Sequence, residues 1–392
     1  MQIDLTEAQR SAQANFREYV ADRITPIANE LDRKEHIPAE LIRDLGSSGY
    51  LGGLVPEKFG GQGMDALTWG LLCEEIGRAS ASLVSLLTVH SMVIQALTRW
   101  GSDEQKSNWL PRLATGEIIA AFGLSEPDVG SDAAHCQTEA TPDGEDLLLN
   151  GEKRWISFGQ VADLFLVFGS IDGQSTALLV ESNSDGLRRA PISNMLGFRS
   201  AMLASLQFDN CRVPASNVVG RPGFGFSHVG GAALDHGRFC IAWGALGLIE
   251  ACIAASMEYA ESREQFGAPL MDHQLIKAMT ADMLVRARAS RLLCCNAARL
   301  KERGTPSLIM ETSIAKYFSS RAAVQVALDA VQIHGANGCS EDYPVGRYLR
   351  DAKVFEIIEG SNQIQQIIIA KYGQQERVKD RIQTTSRDEA DG

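Results

Sequence analysis

A glycine-rich segment near residue 60 has the spacing of a dinucleotide-binding turn. Gly61, Gly63 and Ala66 satisfy a loose form of the G-x-G-x-x-A pattern. Such a turn binds pyrophosphate only between a buried parallel strand and a helix, because the helix N-terminus supplies the donors. The preceding residues, Pro56 to Phe59, do not have the pattern of a buried strand. We therefore expect no nucleotide site in this segment.

A second motif, Ser313 with Lys316, spells the S-x-x-K of some serine hydrolases. The S-D-N and K-T-G elements that accompany it in that class are absent from the sequence, and the pair lies in a helical pattern. We interpret it as a coincidence on a helix surface and keep a serine hydrolase as a remote alternative. The seven histidines do not fall at ligand spacings, so we expect no metal site.

The elements that position any site are predicted by the hydrophobic pattern. Its period changes twice along the chain, which predicts an α+β multidomain protein. Apolar residues recur at helical spacing in the first and last parts of the chain, and the period shortens towards two between them. A chain of 392 residues is long enough for two or three cores. The predicted units are an N-terminal α-helical domain (1–119), a middle β domain (120–227), a C-terminal helical domain (228–373) and a polar, frayed tail (374–392).

Local signals predict individual elements within these units. The segments Thr6–Gln9 and Ser102–Gln105 are capping boxes, which mark helix starts. The pairs Asn150-Gly151 and Asp172-Gly173 each predict a tight hairpin turn, because these residues tolerate the positive φ angles of such turns. The middle domain should therefore contain two hairpins.

Composition narrows the class of partner. The formal net charge is -12, so the chain lacks the surplus of cations that binds phosphate backbones or anionic membrane surfaces. No window approaches eighteen uninterrupted apolar residues, and we expect neither nucleic-acid binding nor membrane insertion. Eight scattered cysteines without a C-x-x-C pair, and an N-terminus without a signal-peptide pattern, predict a cytoplasmic protein.

Six segments, spread in order over most of the chain, together resemble the acyl-CoA dehydrogenase family. The resemblance implies that the middle domain is β-barrel-like and the C-terminal domain a four-helix bundle. It also implies a homotetramer (or dimer) with FAD held between the middle domain and the C-terminal helices. The segments are GLSEPDVGSD (123–132), LNGEKRWISFG (149–159), LGFRS (196–200), YAESREQFGAPL (259–270), QIHGANG (332–338) and RDAKVFEIIEGSNQIQQ (350–366).

The resemblance also implies which positions contact FAD. Reduction places negative charge on the pyrimidine edge of the flavin, which calls for fixed donors there. The positions that match this edge and the ring are Phe122, Leu124, Ser125, Trp155 and Ser157, with Trp155 stacked near the ring. The positions that match the diphosphate and adenosine contacts, made across a subunit boundary, are Arg263, Phe266, Gln332 and Gly335. Gln274, Ser361 and Gln363 complete the cofactor set.

The catalytic base that the resemblance implies is Glu359. Removal of the proton α to a thioester carbonyl needs a carboxylate in a dry pocket that raises its pKa towards neutrality. Some relatives carry the base at the position matching Gly237, where glycine cannot act. Glu359 would take the α-proton while the β-hydrogen leaves as hydride to the flavin. Ser131 matches a contact to the phosphopantetheine arm, and Asp235 and Arg238 complete the substrate set.

The sequence departs from the usual family pattern near the base. Ile358 and Ser361 stand where the family usually has Tyr and Thr, and Gly335-Ala336 replaces two successive glycines. With Ala242-Trp243-Gly244, the residues near the base favour relatives from polyketide and nonribosomal peptide pathways, which act on carrier-linked acyl groups. The substrate is thus an acyl-CoA or an acyl-carrier protein, and an electron-transfer flavoprotein is the expected acceptor. A flavin oxidase or monooxygenase, and a non-catalytic acyl or carrier-protein binding module, stay open as alternatives.

Overall fold

A computed structural model of the protein describes residues 5–305 and 307–388, and its first third is helical. Both predicted capping boxes are present, because the hydroxyls of Thr6 and Ser102 accept hydrogen bonds from the backbone N–H of Gln9 and Gln105. The helices are α1 (Glu7–Arg23), α2 (Ala28–Lys34), α3 (Ala39–Ser47), α4 (Ala66–Ala79), α5 (Ala81–Trp100) and α6 (Asp103–Thr115).

The middle domain is one mixed sheet. Its strands are β1 (Ala120–Gly123), β2 (Glu139–Asp143), β3 (Asp146–Ile156), β4 (Leu164–Ile171), β5 (Gln174–Glu181), β6 (Leu187–Pro191), β7 (Ala204–Pro214) and β8 (Val218–Val219). The order is β6-β7-β3-β2-β4-β5-β8, and β1 also pairs with β4. Strands β1 and β2 run parallel to the two ends of β4. The loop between them, residues 124–138, therefore carries most of the first family segment.

One of the two predicted hairpin turns is confirmed and the other is wrong. Asp172-Gly173 joins β4 to β5, with φ angles of 50° and 72°. Asn150-Gly151 instead lies inside β3, where the pairing with β7 shifts register. Gly151 has a φ of 140°, and a side chain there would collide with Thr138. The glycine is needed for the close approach of Thr138, just before β2, and not for a turn.

The C-terminal domain is built on the long helix α7. Its elements are α7 (Gly231–Ser262), the short strands β9 (Glu264–Gln265) and β10 (Ala268–Pro269), α8 (Gln274–Arg303), α9 (Leu308–His334), α10 (Val345–Phe355) and α11 (Asn362–Asp388). A π-helical turn, Gly225–Gly230, leads into α7. Helix α11 crosses residue 373, so the predicted frayed tail is helical as far as Asp388. Residues 389–392 of that tail lie outside the described residues.

Two helices are long and apolar enough to cross a membrane, and both are core helices here. The most apolar windows of Ala81–Trp100 and Gly225–Ser262 are 89% and 83% buried inside the protein. Helix α4 packs so closely on α7 that a side chain at Gly77 would collide with the backbone of Gly244. One apolar core includes residues of α4, α5, α7, α8, α9 and α10. The N- and C-terminal helices thus share a core, which fixes α5 and α7 beside the turn that follows α10.

Candidate active site

The turn between α10 and α11 carries Glu359 in a strained backbone conformation. Glu359 has a φ of 55° and Gly360 a φ of 81°. A non-glycine residue in this left-handed region costs about 1–3 kcal/mol, so the surrounding contacts must hold it. The side-chain amide of Gln365 donates to the carbonyl oxygens of Glu359 at 3.1 Å and Gly360 at 2.7 Å. The backbone N–H of Asn362 donates to the carbonyl of Glu356 at 2.9 Å.

The carboxyl group of Glu359 is incompletely hydrogen-bonded. The residue as a whole is half-buried, but its Oε2 is fully buried and has no hydrogen-bond partner within the described residues. Burial raises the pKa of Glu359 to about 7; the charge of Arg238 opposes this, Cys240 adds to it, and Lys316 also opposes it. A carboxyl poised near neutrality is suited to proton abstraction.

Gly237 on α7 lies directly against this carboxyl group. A Cβ at Gly237 would collide with Oε2 and Cδ of Glu359, and it would lie 3.0 Å from Met92 Sδ on α5. Gly237, the position at which some relatives carry the base, and the carboxyl group of Glu359 therefore lie at the same place in the site. The glycine leaves the room that the carboxyl group occupies.

Asp235 and Arg238 flank this glycine on α7 and are both buried. Burial lowers the pKa of Arg238, and the charges of Asp235 and Glu359 oppose that shift. Oδ2 of Asp235 lies 3.8 Å from Nζ of Lys301 on α8. Asp235 Oδ1 and Arg238 Nε have no hydrogen-bond partner within the described residues. These two predicted substrate residues thus lie close to the base in a buried charged group.

The residues predicted at the flavin edge are brought together by contacts between the loop 124–138 and strand β3. The backbone N–H of Arg154 donates to the carbonyl of Ser125 at 2.8 Å. Nζ of the buried Lys153 donates to the carbonyl of Leu124 at 3.1 Å and to Glu126 Oε1 at 2.6 Å. The first and second family segments therefore form one site. Phe122 and Leu124 are buried there, Ser157 is half-buried and Ser131 is exposed.

Trp155 presents an exposed ring from a left-handed backbone position. Its side chain is 47% exposed, its φ is 64°, and the guanidinium of Arg154 lies 4.7 Å from the ring centroid. A half-buried aromatic of an ordinary strand would not account for such an exposed ring on a left-handed backbone. An apolar ring beside fixed backbone groups fits a flavin, so the residues present suit the group.

A second set of predicted cofactor residues lies at the far end of the C-terminal helices. Phe266, between β9 and β10, is 98% exposed and has a φ of 50°. In the single chain these residues face solvent, which is the situation expected of groups that contact a cofactor in another subunit. The set consists of Arg263, Phe266, Gln274, Gln332 and Gly335, and all five are exposed. Ser361 is half-buried and Gln363 exposed at the start of α11.

The other family segments also meet in pairs. The carboxylate of Asp351 accepts a hydrogen bond from the backbone N–H of Phe198 at 2.7 Å, which joins the third segment to the sixth. The side-chain amide of Asn337 donates to the hydroxyl of Tyr259 at 2.9 Å, which joins the fourth to the fifth. The six segments thus form contacts between distant parts of the chain.

The interpretation of Ser313 and Lys316 as a helix-surface pair is wrong, because both residues are fully buried. Lys316 Nζ donates to the carbonyl of Gly360 at 3.0 Å, so it contacts the turn that carries Glu359. Ser313, Lys316 and Ser320 follow at helical spacings of three and four and share the buried face of α9, but polar residues at this spacing predict a solvated face, so the sequence alone held no signal for their burial. Sequence reasoning missed Lys316 and Met92 as residues of the site.

Comparisons with known proteins agree with this geometry. Sequence models of the acyl-CoA dehydrogenase N-terminal, middle and C-terminal domains match residues 6–117, 121–211 and 223–373. An acyl-CoA dehydrogenase of Bacillus subtilis is 40% identical over 376 residues, which cover 94% of this chain and 99% of that protein. The structure of butyryl-CoA dehydrogenase from Megasphaera elsdenii superposes with a TM-score of 0.91 at 34% identity, covering 95% and 99% of the two chains.

A carrier-protein enzyme is also similar. The prolyl acyl carrier protein oxidase AnaB superposes with a TM-score of 0.90 at 28% identity, covering 94% of this chain and 99% of that chain. The three family domains match in order and over nearly the whole chain, which assigns the chain to one family. The chain belongs to the acyl-CoA dehydrogenase family, whose members are FAD-dependent oxidoreductases that act on CH–CH groups.

Proposed function

We propose that this protein carries out α,β-dehydrogenation of an acyl thioester with Glu359 as the base. The observation that carries the proposal is Oε2 of Glu359, which is buried, has no hydrogen-bond partner in the part of the chain that the structure describes, and packs against Gly237. Its pKa of about 7 leaves roughly half of the molecules with a free carboxylate at neutral pH. The group is therefore both basic enough to take an α-proton and ionised often enough to do so.

The chain's own residues position the reactants. Glu359 would accept the α-proton at its carboxylate, while its backbone N–H donates to the thioester carbonyl and stabilises the charge that develops there. FAD, when bound, supplies the acceptor for the β-hydride. The residues proposed to hold its ring edge are Phe122, Leu124, Ser125, Trp155 and Ser157, and those proposed for its remaining parts are Arg263, Phe266, Gln274, Gln332, Gly335, Ser361 and Gln363.

A homotetramer (or dimer) is part of the proposal. Several large apolar side chains of α8 are exposed in the single chain: Leu275 at 77%, Val285 at 67% and Leu292 at 46%. An apolar face of this kind on a long helix is typical of a subunit interface. A second subunit would also give the exposed cofactor residues at the ends of α7 and α9 a ligand to contact. We propose a cytoplasmic location for this assembly.

The proposed substrate is an acyl group on CoA or on a carrier protein. The similarity to a butyryl-CoA dehydrogenase supports the first, and Ile358 and Ser361, with the similarity to a carrier-protein oxidase, support the second. An electron-transfer flavoprotein is the proposed acceptor, and oxygen is the alternative. Ser131, exposed on the loop 124–138, is the proposed contact to the pantetheine arm.

The test is an anaerobic titration of the yellow protein, followed by flavin absorbance. Butyryl-CoA is added first, and then the butyryl group on a carrier protein. Bleaching by the CoA ester supports a CoA-dependent dehydrogenase, and bleaching only by the carrier-bound group assigns the enzyme to carrier-linked substrates. Purified protein without flavin would contradict the proposal and favour a binding module, and turnover with oxygen alone would favour the oxidase.

A further inference from the structure

Lys316 makes an unusual set of contacts for a buried lysine. Its side chain is 0% exposed, and its Nζ donates to the carbonyls of Glu356 at 3.4 Å and Gly360 at 3.0 Å and to Asn362 Oδ1 at 3.0 Å. An ammonium group has three donors and no acceptor, so its hydrogen-bonding capacity is used in full. All three acceptors belong to the segment 356–362, which contains Glu359. The contacts of Lys316 therefore join α9 to the turn of the proposed base.

The same segment has few other supports that reach it from outside. Ser320, one turn along α9 from Lys316, donates to the same Asn362 Oδ1 at 3.0 Å. The contacts from Gln365 and Asn362 come from the start of α11 itself. Helix α9 is therefore the scaffold that holds the turn, and the ammonium of Lys316 is its main point of attachment.

We propose that Lys316 is a positioning residue for the catalytic base: its ammonium fixes the left-handed turn at Glu359-Gly360 and so holds the Glu359 carboxyl group against Gly237. The inference rests on the proposed function of Glu359. A turn with a strained non-glycine residue relaxes when its contacts are removed. A base displaced by about 1 Å loses on the order of a hundredfold in rate, because the proton and carboxylate are no longer aligned.

Lys316 also acts on the charge of the base. The groups whose charges act on Glu359 are Arg238 and Cys240 on α7 and Lys316 on α9, and Glu356 acts on Lys316 from the same turn. The positive charge of Lys316 favours the carboxylate and opposes the effect of burial. Removal of that charge therefore raises the pKa of Glu359 further, which a purely mechanical support would not do.

The test measures proton abstraction apart from hydride transfer. Acetyl-CoA has no β-carbon and cannot be dehydrogenated, so exchange of its α-hydrogens with deuterated water, followed by mass spectrometry, reports the base alone. Lys316→Met keeps the length of the side chain and removes its charge and donors. We expect holoenzyme with bound flavin, exchange at least about tenfold slower, and a pH midpoint of exchange above that of the wild type.

Ser313→Ala is the matched control. Ser313 is buried on the same face of α9, its hydroxyl has no partner within the described residues, and this variant should exchange at the wild-type rate. A Lys316→Met protein with wild-type rate and midpoint would overturn the inference. A slower rate with an unmoved midpoint would support the positioning role and contradict the effect of the Lys316 charge on the pKa of Glu359.

Glu359→Gln separates this inference from the proposed function. If Glu359→Gln abolishes exchange and Lys316→Met leaves it unchanged, only the inference fails; if Glu359→Gln exchanges normally, both fail. If Lys316→Met does not fold, Asn362→Ala removes one of the three acceptors and leaves the ammonium in place. That variant should exchange roughly threefold to tenfold more slowly, and a wild-type rate would contradict the proposal.

Discussion

Two buried lysines hold the two halves of the site, and they do so in different ways. Lys153 holds the loop at the proposed flavin edge through the carbonyl of Leu124 and the carboxylate of Glu126, which lies at 2.6 Å. Lys316 holds the turn at the base through two carbonyls and an amide oxygen, all of them neutral. Both lysines are 0% exposed.

The difference lies in what neutralises each charge. Glu126 pairs with Lys153 directly and also accepts hydrogen bonds from the backbone N–H and the hydroxyl of Thr138. A paired charge of this kind serves structure, because little of its field reaches other groups. Lys316 has no carboxylate within ion-pair distance among the described residues, and burial lowers its pKa to about 7. When Lys316 is protonated, its charge therefore acts on Glu359 without being paired.

The largest expected effect separates the chemistry of the two regions. Glu359→Gln keeps the size of the side chain and removes the base, so flavin reduction by substrate should fall by about 10³-fold or more. The flavin edge around Lys153 is untouched, and the variant should bind FAD as the wild type does. Anaerobic stopped-flow absorbance measures the first effect and the flavin spectrum the second. Wild-type reduction would show that another group is the base.

The second test removes the paired lysine. Lys153→Met leaves Glu126 buried without its partner, which costs about 3–5 kcal/mol of stability. The holoenzyme should therefore melt at a lower temperature and lose FAD, and Lys316→Met, which leaves only neutral groups behind, should be destabilised less. Adding Glu126→Gln to Lys153→Met should restore part of the loss. Equal melting temperatures for the two lysine variants would contradict the proposed difference between a paired and an unpaired buried lysine.

The third test displaces the base without changing it. Gly237→Ala places a methyl group in the space of the Glu359 carboxyl group, and flavin reduction should fall roughly tenfold to a hundredfold. The control is Gly231→Ala on the same helix, where a Cβ makes only an ordinary contact with the carbonyl oxygen of Phe226. Comparable rates in the two variants would mean that the Glu359 carboxyl does not need the space at Gly237.

The last expected effect is on stability as a function of pH. The pKa of Glu359 is about 7 in the folded protein and 4.5 in the unfolded chain. Between these two pH values, the folded state therefore binds a proton that the unfolded state has lost. Its contribution to stability therefore falls as pH rises from 4.5 to 7, by up to about 3 kcal/mol. Glu359→Gln removes this loss, so its melting temperature relative to the wild type should rise between pH 5 and pH 8. A constant difference would show that the carboxyl is solvated.

Much of the fold could be predicted from the sequence, because it depends on local signals. The two capping boxes and the Asp172-Gly173 turn need only neighbouring residues to form, and all three are present. Asn150-Gly151 has an equally strong local signal but lies within a strand. There the close approach of Thr138, distant in sequence, decided the conformation of Gly151.

The sequence by itself determined the order of the helical and β domains, the family and a short set of candidate site residues, because periodicity and segment order are properties of the chain. The tertiary structure alone decided that Lys316 is buried at the turn of the base, 44 residues from Gly360, and that Gly237 faces Glu359. Such contacts depend on how α7, α9 and the turn pack, and helical spacing alone cannot distinguish a buried face from a solvated one.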